Sequence, residues 1–159
     1  MKTLTIRKAR PDDISYIKAI EVECGLSPWP LRSYETEITR PESITLTAQT
    51  SDHEILGFIT GRIVRSSDIE AEVYNIGVPA PFQNQGIGKR LFSEFRQICG
   101  KGGAVRIWLE VRASNSKAIA FYRSQGFDLA GLRQKFYSNP VEDAKIMCLQ
   151  LDRSSLRKL

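Results

Sequence analysis

Histidine is nearly absent from this chain of 159 residues, which contains one, His53. His53 lies in the polar stretch 51–54 between two strand-like runs, and we expect it in a solvated turn. A histidine-based metal centre or a Ser-His-Asp triad has too few histidines here, so we predict no metal. The cysteines, Cys24, Cys99 and Cys148, cannot all pair and lack metal-ligand spacing. Because each falls within an apolar stretch, we expect reduced thiols that behave as small hydrophobic side chains.

Long hydrophobic runs are also missing. No stretch of about 18 consecutive apolar residues is present, and residues 1–7 begin with a strand pattern rather than a signal peptide. We therefore expect a cytoplasmic protein without membrane contact. A length of 159 residues with 42% apolar residues is ordinary for one domain with its own core. We predict a single domain over 1–159, with a frayed basic tail at about 152–159.

Basic residues outnumber acidic ones, 23 to 18, which gives a net charge of +5 and a pI of about 9.2. A basic surface favours an anionic ligand. RNA is one interpretation of this charge. However, the basic residues are scattered and no aromatic platform is interleaved with them, so we expect no direct nucleic-acid binding. Nothing in the sequence sets the oligomeric state.

Hydrophobic periodicity and turn residues predict alternating strands and helices. The predicted strands are 3–9, 43–50, 54–65, 70–78, 104–111, 127–137 and 143–151, and the predicted helices begin after Pro11-Asp12 and at Leu31, Ile87 and Asn115. Because a helix joins strands 70–78 and 104–111, we predict that these strands are parallel. Ligands favour the edge of the sheet at which such strands end. The pattern indicates an α+β fold with a mixed sheet and helices on both faces.

The segment 78–92 runs from an apolar strand through a proline-framed turn into an amphipathic helix. Gly86 and Gly88 stand at the helix start, where the first backbone N–H groups lack partners and the helix dipole is positive. Glycines also let an anion approach the main chain closely. The spacing matches neither a dinucleotide fingerprint nor a P-loop, since Leu91 replaces the third glycine and no Gly-Lys-Ser/Thr follows. We predict a pyrophosphate site at this junction.

Several segments around this junction form a recognisable set of motifs. The set consists of Asn75-Ile76-Gly77-Val78, Gln83-x-x-Gly86-x-Gly88, Leu109-Glu110-Val111-Arg112-Ala113-Ser114-Asn115, Ala118-Ile119-Ala120-Phe121-Tyr122 and Gly126-Phe127. Together they resemble GNAT-type N-acetyltransferases. Ser27-Pro28-Trp29, Glu142-Asp143-Ala144 and Met147 are similar to the ribosomal-protein-alanine N-acetyltransferase branch. The resemblance covers about 6–151. It implies a GNAT fold, a central mixed sheet of about seven strands flanked by about four helices.

The resemblance implies acetyl-CoA as co-substrate. The implied binding residues are Ile76, Gly77, Val78, Gln83, Asn84, Gln85, Gly86, Ile87, Gly88, Lys89, Arg90, Asn115 and Tyr122. Backbone amides of 85–89 would hold the pyrophosphate, with Lys89 or Arg90 adding charge, and an amide within 76–78 would bind the oxyanion. Gly77 stands where many relatives have alanine, a departure that adds backbone freedom and that we expect to be tolerated. Asn115 is expected to cap its helix and to contact the pantetheine arm.

Acetyl transfer to an amine needs a base, because an α-ammonium titrates near ~8 and a lysine near ~10.4. Strand alternation places Glu110 on the face away from the apolar layer, and the resemblance makes it the general base. Two alternatives stand beside this hypothesis. Glu110 is a strand glutamate paired with Arg112 or Arg62, or the base is Glu72 on the preceding strand.

The departing thiolate needs a proton, and a tyrosine with a pKa near ~10 is better matched to it than an ionised carboxylate. Tyr122 lies seven residues after Asn115, two turns along the same helical face. The resemblance assigns it the role of proton donor. The alternative is a core tyrosine whose hydroxyl is tied to a carbonyl.

For the acceptor, the resemblance implies a peptide between the first helical pair and the closing hairpin. The candidate contacts are Trp29, Tyr34, Phe136 and Tyr137. Phe136 stands where the family typically has a tyrosine, and Trp29 is equally well explained as a core anchor. We predict acetylation of a protein N-terminal α-amine by direct attack on the thioester, with the N-terminal alanine of a ribosomal protein as acceptor. The alternatives are an enzyme for a small amine or a lysine side chain, and a non-catalytic acetyl-CoA-binding module.

Overall fold

The computed structural model describes residues 2–151, so the predicted tail at 152–159 lies outside the described residues. Each predicted strand and helix is present within this range. The strands are β1 Leu4–Lys8, β2 Ser43–Thr50, β3 Ile55–Arg65, β4 Ile69–Gly77, β5 Arg106–Arg112, β6 Asp128–Tyr137 and β7 Glu142–Gln150. The α-helices are α1 Ile14–Glu23, α2 Leu31–Glu37, α3 Ile87–Lys101 and α4 Ser116–Ser124.

The seven strands form one sheet in the order β1-β2-β3-β4-β5-β7-β6. Strands β4 and β5 are parallel, as predicted from the helix that joins them, and every other neighbouring pair is antiparallel. The α+β class with a mixed sheet is therefore confirmed.

Strands β4 and β5 separate before they end. They pair over 71–73 and 107–109 and no further. Beyond this point β4 stays paired with β3, through Ile76 and Gly77, whereas Glu110 and the end of β5 pair with β7. The result is a split in the middle of the sheet, open at the ends of the two central strands.

Two hydrophobic clusters cover opposite faces of the sheet. Helix α3 carries Leu91, Phe92 and Phe95 into one cluster, which also contains residues of α4 and the inward-facing residues of β5. Helices α1 and α2 form the other cluster around Phe58. The burial pattern of β5 alternates strictly, so Glu110 lies on the α1/α2 face, away from the larger cluster, as the strand alternation predicted.

A glycine of β3 lets α3 press directly against the sheet. A side-chain carbon added at Gly61 would overlap the backbone oxygen of Glu72 and lie 2.6 Å from the ring of Phe95. At the end of α3, a carbon added at Gly102 would lie 2.6 Å from Ile63. Both contacts are too short for a real side chain, so each glycine lets a side chain of the other element, Phe95 or Ile63, lie directly against its backbone.

Strand β4 contains a bulge at Tyr74. Thr60 pairs with Asn75 and the next residue, Gly61, pairs with Val73, which leaves Tyr74 as the extra residue. A bulge re-aims the side chains that follow it. Glycine at 77 shows the result, because a carbon added there would meet Ile20, Leu26 and Phe58 of the α1/α2 face.

The predicted turn position of His53 and the predicted unpaired cysteines agree with the structure. His53 is exposed with a φ of 67°, in the turn between β2 and β3. All three cysteines are free, Cys99 buried and Cys24 and Cys148 half-buried. Within 2–151, no helix is long and apolar enough to cross a membrane, and no group of three or more His, Cys, Asp or Glu side chains is placed to hold a metal ion.

Candidate active site

A cleft of about 1300 Å³ occupies the split between β4 and β5. Its walls come from the loop before α3, the first turns of α3 and α4, the α1–α2 loop and the β6–β7 hairpin. Ligands of open α/β sheets bind at such strand ends. The cleft contains most of the residues predicted to bind ligands, and they enter it from both faces of the sheet.

The loop before α3 has the geometry of an anion site. Asn84 and Gly86 have φ values of 61° and 82°, and Gly86 is the N-cap of α3. The first bond within the helix runs from Arg90 N to Gly86 O at 3.0 Å, so the amides of the preceding turn, 87–89, have no partner inside the helix. Successive amides in a turn with alternating backbone hand form a concave site for an anion.

The two glycines at the start of α3 act for different reasons. A carbon added at Gly86 would meet nothing within 4 Å, so glycine is favoured there by its positive φ. Gly88 lines the cleft, and a carbon added there would lie 3.5 Å from the Phe121 ring, which is ordinary contact. Glycine at 88 is therefore not required by packing within the protein, and the space beside it belongs to the cleft.

Cationic groups surround this end of the cleft. Lys89 and Lys117 both line it, and Lys117 Nζ donates to the Gln83 side-chain oxygen. Gln83 Nε2 in turn donates to the Val78 carbonyl at 2.7 Å. These bonds tie the loop before α3 to the start of α4 and to the end of β4, so three predicted binding segments are held together.

Two residues of this segment that were predicted to bind acetyl-CoA have side chains directed away from the cleft. Arg90 donates from its side chain to the Leu4 carbonyl at 3.0 Å, and its backbone amide is used within the helix. Of the two predicted sources of charge, Arg90 is therefore directed away from the cleft, whereas Lys89 lines it. Gln85 donates to the Pro81 carbonyl at 3.2 Å, so its side chain stabilises the turn outside the cleft.

Gly77 is more constrained than the sequence suggested. Its added carbon would lie 3.1 Å from Ile20 and 3.2 Å from Leu26 and Phe58. These contacts are tighter than those of most real side chains, so alanine fits poorly unless α1 and its loop move. The glycine allows α1 to pack close to the strand end, rather than adding freedom to it.

Asn115 and Tyr122 stand along one side of α4, as predicted. The Asn115 side-chain oxygen accepts from Ala118 N at 3.1 Å, which makes it the helix cap. Tyr122 lines the cleft with 8% of its surface exposed. Burial raises the pKa of Tyr122 above its ordinary value, so its hydroxyl remains protonated throughout the neutral range.

Glu110 lies in the split, on the cleft wall. Its carboxylate pairs with Arg133 Nε at 3.1 Å. The predicted alternatives named other partners, but Arg112 pairs with Glu142 and Arg62 with Glu37. Glu110 is thus paired, across β7, with an arginine that is 57% exposed, which leaves the pair open to solvent and to a ligand.

Glu72, the alternative base, also lines the cleft. It precedes Tyr74 on β4, whose pKa rises to about 12 through burial first and the Glu72 charge second. Glu72 lies on the same face of the sheet as Glu110, one strand away. Glu72 and Glu110 therefore both stand at the α1/α2 side of the cleft, and a third carboxylate there, Glu70, is paired with Arg106.

The predicted acceptor contacts divide into two groups. Trp29, Phe136 and Tyr137 line the cleft. Tyr34 does not, because it is fully buried and its hydroxyl donates to the Glu21 carboxylate. The prediction that Tyr34 contacts the acceptor is wrong, since α2 packs this ring beneath Trp29, with 5.1 Å between the ring centroids.

The sequence analysis did not identify Tyr74, Lys117 and Arg133, which also line the cleft. Lys117 follows Asn115 in the first turn of α4, so helix geometry places it near the anion loop. Tyr74 shares a face with Glu72 by strand alternation, which was a usable signal. Arg133 had none, because its approach to Glu110 depends on a β6–β7 pairing interrupted by two register shifts.

The cleft has opposite charges at its two ends. Lys89, Lys117 and the α3 amides stand at one end, and Glu70, Glu72 and Glu110 at the other, where the lining cations Arg112 and Arg133 are paired with Glu142 and Glu110. An anionic ligand is stabilised at the first end and a cationic group at the second. This arrangement suits a phosphate-bearing acyl donor and an ammonium acceptor that meet in the split.

Comparisons with known proteins agree with this geometry. A model of the acetyltransferase (GNAT) family matches residues 14–127. N-alpha-acetyltransferase RimI of Mycobacterium tuberculosis is 37% identical over 124 residues, covering 77% of this chain and 76% of that protein. An uncharacterized Mycobacterium leprae protein, ML0378, is 33% identical over 148 residues, and this chain spans 40% of its length.

The ribosomal protein bS18-alanine N-acetyltransferase of Escherichia coli is 32% identical over 149 residues, covering 92% of this chain and 97% of that protein. Its crystal structure superposes with a TM-score of 0.82 at 30% identity over 94% of this chain and 95% of that chain. The predicted resemblance to this branch is confirmed. The chain therefore belongs to the acetyltransferase (GNAT) family and is an acetyl-CoA-dependent N-acetyltransferase.

Proposed function

We propose that this enzyme acetylates the α-amine at a protein N-terminus, and that the acceptor is the N-terminal alanine of a ribosomal protein. The observation that carries the proposal is the acceptor half of the cleft. There Glu110 lines the cleft together with Trp29, Phe136 and Tyr137, aromatic side chains that suit an extended peptide. The activity named for the E. coli relative, an alanine N-acetyltransferase of ribosomal protein bS18, supports the same acceptor.

Acetyl-CoA supplies the activated acetyl group, and this chain offers a fitting place for it. The unpartnered amides of 87–89, with Lys89 and Lys117, suit its pyrophosphate. The open space beside Gly88 leaves room for the phosphates to approach the main chain. Asn115 uses its side-chain oxygen for the helix cap, and its side-chain N–H groups are directed to the pantetheine arm in this proposal.

In the proposed reaction, Glu110 removes the proton from the acceptor ammonium. The incoming ammonium replaces Arg133 as the cation beside the Glu110 carboxylate, which keeps the carboxylate paired until the proton moves. A terminal α-amine is favoured over a lysine amine, because its pKa is lower by roughly 2 units and a larger fraction is neutral at pH 7.

On the opposite side of the split, Tyr122 gives its proton to the departing thiolate. Its raised pKa keeps that proton in place before the transfer. A backbone amide within 76–78 donates to the developing oxyanion, since the end of β4 has separated from β5 and lies on the cleft. Glu110 and Tyr122 thus act from opposite faces of the sheet.

An acceptor screen tests the proposal. A short peptide beginning with Ala is expected to be acetylated at its α-amine, and a peptide with that amine blocked is expected to be inert. The same assay includes internal lysine peptides, polyamines and aminoglycosides. Mass spectrometry that places the acetyl group on lysine side chains, or turnover of a small amine alone, would overturn the N-terminal assignment and leave the acetyltransferase activity in place.

Removing the Tyr137 ring is expected to weaken peptide binding more than it slows the chemical step. The ring lines the cleft, packs edge-on against Phe136 at 5.0 Å and carries the Arg112 guanidinium at 4.3 Å. Loss of an aromatic contact costs about 0.5–1.5 kcal/mol, so Tyr137→Ala should raise the peptide KM roughly two- to tenfold. Steady-state kinetics measure this, with Tyr137→Phe as the control that keeps the ring. A fall in kcat without a change in KM would contradict the assignment.

A further inference from the structure

Glu21 is a buried carboxylate for which the proposed chemistry has no use. It lies near the end of α1 with 0% of its surface exposed, although glutamate is almost never fully buried unless it is paired. Its partners are Lys18 Nζ at 2.6 Å, the Trp29 backbone N–H at 3.2 Å and the Tyr34 hydroxyl. Burying a charge is costly even when it is paired, so this arrangement calls for a role.

The same ion pair holds the main chain of Trp29 from both sides. The Glu21 carboxylate accepts the Trp29 N–H with both of its oxygens at 3.2 Å, and the Lys18 ammonium donates to the Trp29 carbonyl. Residues 26–30 have no regular secondary structure. These bonds therefore fix the loop on either side of the indole, where no helix or strand does so.

The Trp29 side chain is the part of this arrangement that reaches the cleft. Its ring lines the acceptor half and lies between Tyr34, at 5.1 Å, and Tyr74, at 5.6 Å between centroids. Burial, and then the hydrogen bond to Glu21, raises the pKa of Tyr34, so its hydroxyl stays a donor. Glu21 thus holds both the loop that carries the indole and the ring on which the indole rests.

We propose that Glu21 is a positioning residue for the acceptor. Together with Lys18 it fixes Trp29 as a wall of the cleft, and this inference rests on the proposed peptide acceptor. Glu21 does not itself line the cleft, so it acts through Trp29 and not by touching the substrate. A binding wall held by a second layer of hydrogen bonds is pre-organised, which lowers the cost of ordering it when the peptide binds.

Glu21→Gln keeps the size of the side chain and removes its charge. An amide has one acceptor oxygen, so it cannot serve the Trp29 N–H, the Tyr34 hydroxyl and Lys18 together. The peptide KM is expected to rise about tenfold or more, as for loss of a charge-assisted hydrogen bond, with kcat changing less. Calorimetry should give an unchanged Kd for acetyl-CoA. In a Trp108→Phe background, acrylamide should quench the Trp29 fluorescence more strongly after Glu21→Gln.

A double-mutant cycle separates positioning from general destabilisation. In a Trp29→Ala background, Glu21→Gln should add no further rise in peptide KM. The matched control is Asp13→Asn, which breaks another buried ion pair, to Arg7 at 2.7 Å, away from the cleft. It should lower the melting temperature without changing the peptide KM.

Lys18→Met gives a second route if Glu21→Gln does not fold, because it removes the bond to the Trp29 carbonyl and should also increase quenching. A wild-type peptide KM in folded Glu21→Gln, or additive effects with Trp29→Ala, would overturn the inference. If the wild-type enzyme acetylates no peptide, the proposed function fails instead. The quenching measurement then decides, and unchanged quenching would overturn the positioning role as well.

Discussion

Glu110→Gln is expected to lower kcat by roughly 10²–10⁴-fold, the typical contribution of a positioned general base. Glutamine keeps the shape of the side chain but cannot take a proton from the acceptor ammonium. The substitution also breaks the pair with Arg133, and because that arginine is 57% exposed, the loss of stability should be small. Acetyl transfer at saturating peptide and acetyl-CoA measures kcat, and thermal unfolding verifies the fold.

Three companion variants make this result specific. Arg133→Gln removes the ion pair but keeps the base, so its kcat should fall far less than that of Glu110→Gln. Tyr122→Phe should lower kcat with little effect on acetyl-CoA affinity, since it removes the proposed proton donor alone. If Glu110→Gln turns over normally while Glu72→Gln is inactive, the base lies on β4 and the assignment to β5 is wrong.

Gly88→Glu is expected to weaken acetyl-CoA binding while leaving the fold intact. The first carbon of the new side chain makes ordinary contact with Phe121 at 3.5 Å, so the carboxylate has room to extend into the cleft beside the α3 amides. Two unit charges about 4 Å apart repel by about 1 kcal/mol in water and about 4 kcal/mol at an effective dielectric constant of 20. The expected loss is therefore roughly 5- to 1000-fold in Kd, measured by calorimetry.

Two controls separate charge from bulk and from position. Gly88→Gln adds the same volume without charge and should lose less affinity than the glutamate. Ser93→Glu adds the same charge to an exposed position of α3, next to Arg90 and away from the large cleft, and should bind acetyl-CoA normally. Unchanged affinity in folded Gly88→Glu would mean that the ligand does not lie on this loop.

Local sequence signals were sufficient for the parts of the fold that depend on neighbours along the chain. Alternation in β5 placed Glu110 on the open face, and the glycine turn before α3 indicated a helix start with free amides. The parallel pairing of β4 and β5 followed from the crossover helix between them. These inferences require only the side-chain period of a strand, two residues, or of a helix, 3.6 residues, and the rule that strand–helix–strand crossovers are right-handed.

The errors fall where distant segments meet. Tyr34 is aromatic and lies five residues after Trp29. Its burial, however, depends on the packing of α2 over Phe58 and on the hydrogen bond that its hydroxyl donates to Glu21. The direction of Arg90 depends on the position of β1, and the Glu110 partner depends on β6. No local pattern encodes such contacts, because they are decided by tertiary packing.

Helix α3 contacts β3 at two points, one at Gly61 of the strand and one at Gly102 at the end of the helix. A shift at one of these points therefore tilts the whole helix, as it would a rigid lever. Gly102 against Ile63 acts as the pivot, and Phe95 against Gly61 is the point of support roughly halfway to the tip. At about 1.5 Å of rise per residue, the tip at Ile87 lies about twice as far from the pivot as Phe95 does. A methyl group at Gly61 that displaced Phe95 by about 1 Å would move the tip by about 2 Å, and a misplacement of about 1 Å is enough to cost a reaction about 10²-fold. A residue in the middle of the sheet thereby influences the direction of the helix end at which we propose that the pyrophosphate binds.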